Sequence, residues 1–134
     1  MNRAAFAVLS VAVASGAGAP LLAHHSFAAH YDMQKPVTVQ GAIVEVRLTN
    51  PHSWFVLDVK EADGTTSRWQ FEAGTPSGMI RNGYKAAAMP KGSVVTITGF
   101  HGRDQAKKVG MLRQLTTADG KTYGMFGPQE TATR

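Results

Sequence analysis

The sequence predicts an all-β protein with one short helix, built as a small, OB-like, five-stranded, partly open β-barrel. Three observations point there. Runs rich in β-branched and aromatic residues alternate with polar ones, and turn pairs such as Asp63-Gly64 and Asp119-Gly120 separate them. A single Thr-Pro helix start falls after the third run. Three strands, a helix and two more strands is an OB order. The competing architecture, an open β-sandwich, does not usually carry a helix at that point.

The first strand runs from Val37 to Leu48. Its apolar residues Val37, Val39, Ile43 and Val44 change parity across Gly41, which marks a bulge or sharp bend. Such a strand suits a barrel because it must serve both sheets. Asn50-Pro51 makes the next turn, since Pro51 restricts its neighbour and cannot donate to a ladder. The second strand, Trp54 to Lys60, ends in the hairpin turn Ala62-Asp63-Gly64-Thr65. In the third, Ser67 to Ala73, the residues Trp69, Phe71 and Ala73 form a buried face against Arg68, Gln70 and Glu72.

Thr75 is placed to cap the helix and Pro76 to occupy its first position; Asn82-Gly83 ends it. Tyr84 to Met89 adds a further turn. The fourth strand spans Ser93 to Phe100, a basic loop holds Arg103 to Lys108, and the fifth strand spans Gly110 to Thr116. Asp119-Gly120 then turns into a short strand through Tyr123. The barrel domain is expected over residues 37–126, followed by a polar, fraying tail at 127–134.

Residues 1–23 have the layout of a secretory signal peptide, with Arg3, an apolar run from Ala4 to Ala14, and a helix-breaking Ser15 to Pro20 stretch. Cleavage before His24 is the simplest choice, with Ala17 and Ala19 as alternative cut points. An uncleaved anchor is disfavoured because the apolar run is shorter than the ~20 residues a spanning helix needs. The expected address is periplasmic or secreted. Removing the segment leaves about 110 residues, the size of one domain. Residues 24–36 read as an extended N-terminal arm without sustained periodicity.

The chain has no cysteine, which excludes disulfides, thiolate metal sites and thiol catalysis. Its formal charge of +5 includes Arg3, so the mature chain is nearer +4. The Lys and Arg residues are scattered singly apart from Lys107-Lys108, which argues for a solvated basic surface and against a nucleic-acid partner. No second apolar stretch is long enough to span a membrane.

The histidines carry the chemical expectation. His24, His25 and His30 lie in the arm, His52 in the loop joining the first two strands, and His101 at the start of the loop joining the fourth and fifth. Those two loops flank the usual ligand site of an OB barrel. Imidazole suits copper, zinc, nickel and iron. Cleavage before His24 would free an α-amine that chelates together with the His24 ring, and a third nitrogen from His25, His30, His52 or His101 would complete a site favouring Cu(II). Asp32 is the carboxylate expected to orient a histidine ring. Four of the five also have a plain reading: a soluble chain start for His24 and His25, a loop hydrogen bond for His52, a solvent-facing ring for His101.

Trp54 and Asn50, flanking His52, are the candidate ligand-contact residues, although Trp54 and Trp69 read first as core or cross-strand partners. Asp32, Asp58 and Glu72 could serve acid–base work, but nothing in their spacing singles them out, and no catalytic residue is assigned. The sequence holds no G-x-S-x-G, no H-E-x-x-H and no phosphate-binding glycine loop. Met79, Met89, Met111 and Met125 are too dispersed for a Cu(I) cluster and fit gaps in a core. The leading expectation is an exported binding module for Cu(II) or another divalent metal. The alternative is a non-metal module binding a small molecule, a glycan or an envelope protein.

The motifs Ala23-His24-His25-Ser26-Phe27, Tyr31-Asp32, Pro36-Val37 and Thr49-Asn50-Pro51-His52-Ser53-Trp54 occur in that order. Trp69-Gln70-Phe71-Glu72, Val94 to Gly99 and Thr117-Ala118-Asp119-Gly120 continue the series. The chain thereby resembles the exported bacterial proteins of domain-of-unknown-function family 6152 over nearly its whole mature length. The resemblance implies a small periplasmic or secreted β-barrel and brings no activity or catalytic residue with it.

Overall fold

The computed structural model describes residues 27–125. The signal segment 1–23, His24, His25 and the tail 127–134 lie outside them. A four-residue helix α1 (Phe27–His30) leads into the long strand β1 (Tyr31–Arg47), followed by β2 (Trp54–Lys60), β3 (Thr66–Glu72), helix α2 (Pro76–Arg81) and a 3-10 turn (Ala86–Ala88). Strands β4 (Val94–Gly102), β5 (Val109–Thr117) and β6 (Thr122–Gly124) complete the chain.

The strands form one six-stranded sheet in the order β3-β2-β1-β4-β5-β6. A parallel pairing of Gln70, Phe71 and Glu72 with Val109, Gly110 and Met111 joins β3 to β5, so β1 to β5 close into a ring. That is the expected OB-like, partly open barrel, with β6 added at its edge.

Strand β1 serves both halves of the ring. Pro36 to Ala42 pair with Phe100 to Val94 of β4, and Ala42 to Arg47 pair with Asp58 to Trp54 of β2. The register slips between Ile43 and Glu45, just past the glycine that marked the bend. Gly41 has its own reason: a Cβ there would lie 2.6 Å from Asp58 O and 2.9 Å from Val59 Cγ2, so only glycine lets β1 cross this close to β2.

Alternation fills the interior. Phe55 and Leu57 of β2, Phe71 of β3, Val95 and Ile97 of β4 and Leu112 and Leu115 of β5 are almost wholly buried, each large side chain contributing about 1.5–3 kcal/mol. Met79, Met89, Met111 and Met125 are buried among them as fillers. Thr75 Oγ1 accepts the Gly78 N–H at 3.1 Å to start α2, and the Asn82 N–H returns to Gly78 O at 3.0 Å to end it.

The main departure is the arm. Strand β1 begins at Tyr31, where the sequence reading starts it at Val37, and Tyr31 pairs with Gly102 across an irregular stretch ending at Pro36. Met33, Gln34, Lys35 and Pro36 are exposed, so this part carries no inward face to announce it. Its anchor is the next element: the ring of Tyr31 is buried, and Arg103 holds the carbonyls of α1.

Candidate functional site

Beyond the ends of β2 and β3, the ladder continues through two backbone bonds. Ser53 N–H donates to Gly74 O at 2.9 Å, and Ala73 N–H donates to Ser53 O at 2.8 Å. Trp54 stands opposite Glu72. His52, held further by Thr49 Oγ1 donating to its carbonyl at 3.0 Å, is therefore delivered next to Glu72.

The Glu72 carboxylate joins two partners. One oxygen contacts His52 Nδ1, and the other accepts the Tyr31 hydroxyl. Burial, then the hydrogen bond to Glu72 and its negative charge, push the Tyr31 phenol far above its ordinary range. Tyr31 is consequently a neutral donor. An ionised carboxylate only accepts, so Nδ1 of His52 is the donor, and in the neutral ring the lone pair sits on Nε2. The arrangement fixes both tautomer and ring orientation.

Around this trio lies an open cleft of about 440 Å³, walled by Phe27, Pro51, Trp54 and Val109 and rimmed by His30, Arg103, Asp104 and Lys107. The Phe27 ring lies 5.4 Å from that of His52 and 6.2 Å from that of Tyr31. Arg103 keeps it there: its Nε and one Nη donate to Ala28 O at 2.8 and 2.6 Å, and its backbone N–H donates to His30 O at 3.0 Å. A four-residue helix cannot satisfy its own last carbonyls, and Arg103 does so from the β4–β5 loop.

The expected site residues part company here. His30, His52 and Trp54 line one cleft. His101 does not line it. Its ring packs edge-on to Trp69 at 5.2 Å, with Nδ1 3.0 Å from Gly102 O. The reason is strand alternation: Trp69 and Glu72 stand on opposite faces of β3, so the histidines touching them do too. Among the described residues the Asp32 carboxylate meets no histidine ring; it accepts the Gln34 N–H at 3.0 Å. Asn50 is exposed, joined to Pro51 by a cis peptide. Asp58 pairs with Arg68 at 2.9 Å, which holds its carboxyl below the usual range. Among the described residues no three of His, Asp and Glu form a metal-sized group.

Sequence reasoning missed Tyr31, Phe27 and Arg103 as site residues, and named Glu72 only as one carboxylate among three. Glu72 had a usable signal, since counting back from the Asp63-Gly64 turn pairs it with Trp54. The other three depend on the arm folding back against the β4–β5 loop.

Fold and cleft together define a small OB-like β-protein with a ligand-sized cleft beneath an N-terminal strap. The chain belongs to a family of unknown function, DUF6152, whose model matches residues 8–112. Every cleft residue lies inside that match, whereas the second half of β5 and all of β6 lie beyond it. No curated protein and no solved structure matches the chain.

Proposed function

We propose that this protein is an exported binding module that holds Cu(II) or a similar divalent metal at His52, with further nitrogens from His24 and His25 at the mature N-terminus. The observation that carries the reading is the Glu72 carboxylate on His52 Nδ1, the arrangement that orients metal-binding imidazoles and raises their basicity. Phe27 against the His52 ring adds to it. Chain geometry keeps the His24 Cα within about 11 Å of the Phe27 Cα, inside reach of the cleft. His30 lines the same cleft and is a further candidate ligand. The test is Cu(II) titration of signal-cleaved protein, followed by electron paramagnetic resonance. Nitrogen hyperfine structure is expected, lost or reduced in His52→Ala and unchanged in His101→Ala. Spectra without nitrogen coupling, or identical in the protein and its His52→Ala variant, overturn the reading.

A second reading, a module for a small organic ligand, is favoured by the size of the cleft and its apolar walls.

A further inference from the structure

We infer that the cleft carries an anion subsite at Arg103 and takes a small organic monoanion with an apolar body, such as an aromatic carboxylate. The proposal deepens the small-ligand reading and is independent of the metal. It starts from the charges around the cleft. Glu72 is engaged through both oxygens by Tyr31 and His52. Asp104 faces Lys107 at 3.4 Å. Arg103 has no carboxylate partner among the described residues; its recorded side-chain bonds go to one neutral carbonyl, Ala28 O. Although the formal charges lining the cleft balance, Arg103 is the one Lys or Arg of the lining without an ion pair among the described residues.

The same clasp prepares that charge for a ligand. Two donor nitrogens hold the guanidinium plane on Ala28 O, and the other Nη has no partner among the described residues. A lysine would have to be immobilised on binding, whereas this planar fork is already oriented. Beside it, Phe27, Pro51, Trp54 and Val109 offer apolar walls. Such walls can take the apolar body of a ligand whose charge rests on the exposed guanidinium. A neutral apolar ligand would leave the guanidinium unmatched, and an inorganic anion would leave the walls unmatched. A carboxylate with an apolar body matches both.

The experiment uses chelator-treated, signal-cleaved protein and a pair of near-isosteric probes, benzoate and benzamide, followed by two-dimensional NMR. Benzoate is expected to shift the Trp54 indole and Val109 methyl signals and leave the Trp69 indole in place. Benzamide is expected to bind about tenfold more weakly, the value of one charge-assisted hydrogen bond. In Arg103→Gln, whose amide can still donate to Ala28 O, the two probes should bind alike. Lys85→Gln, which removes an exposed cation away from the cleft, should keep the preference. Equal affinities in the unmodified protein, absence of cleft shifts at millimolar benzoate, or a preference surviving in Arg103→Gln would each overturn the proposal. Because metal is absent throughout, the result is separate from that of the Cu(II) titration.

Discussion

His52 lies in the loop before β2, whereas His101, expected to begin a loop, lies within β4 opposite Gly110, and the fold gives the two different work. At His101 the ring is absorbed into packing. It rests on the edge of Trp69, which stacks on Phe71 at 5.5 Å, and Lys108 lies 5.3 Å from the Trp69 ring. This corner belongs to the seam where β3 meets β5. At His52 the ring is held by a carboxylate at one nitrogen, beside an open cleft. Packing uses up the groups of the first corner, while hydrogen bonding in the second orients a group it does not consume. A residue type alone marks a site poorly; what its other atoms are doing marks it better.

The sharpest way to break this contrast is at the seam. A Cβ on Gly110 would lie 2.6 Å from Phe71 Cε1 and 3.0 Å from Phe100 O. Gly110→Ala should destabilise the protein by about 2 kcal/mol, as overpacking against a fully buried ring does. Urea unfolding measures it. In the fraction that remains folded, ligand binding at the cleft should be unchanged. A variant as stable as the parent would mean that the seam is looser than the packing indicates.

Next comes Glu72→Ala. It strands a buried Tyr31 hydroxyl and should cost about 1–3 kcal/mol. It should also lower metal affinity about 10- to 100-fold by releasing His52. If stability falls and affinity does not, Glu72 supports the fold and not the site.

The smallest effect is in alkaline unfolding. Burial pushes the phenols of Tyr31 and Tyr84 up, with Glu72 adding to the first and Tyr123 to the second. Below pH about 10, where unfolded tyrosine still holds its proton, their contribution is fully present. Above it the unfolded chain ionises first, so stability should fall as pH rises toward the folded-state values. Tyr31→Phe should flatten that fall in thermal melts recorded from pH 9 to about 11. An unaltered slope would remove Tyr31 from the hydrogen-bonded trio.

Much of the barrel is legible residue by residue. Trp54 to Lys60 and the turn at Asp63-Gly64 are local patterns, since alternation and turn chemistry act over a few neighbours. Thr75-Pro76 works for the same reason. The cleft is different. Tyr31 looked like part of an arm because Met33 to Pro36 have no buried side, and its value appears only when Gly102 and Arg103 return alongside it. Asp32 looked like a ring-orienting carboxylate by nearness in sequence. Glu72, forty residues further along the chain, is the carboxylate that meets His52.

The sequence by itself determined the OB-like strand order, the helix after β3, the absence of thiol chemistry, and His52 as a loop histidine worth following. All of these rest on local periodicity, capping and composition. The tertiary structure alone decided that His52 meets Glu72 and Tyr31, that His101 faces Trp69 instead, and that Arg103 ties the strap over the cleft. Those outcomes depend on register and on which face each strand presents once the ring is closed, and no local pattern encodes that.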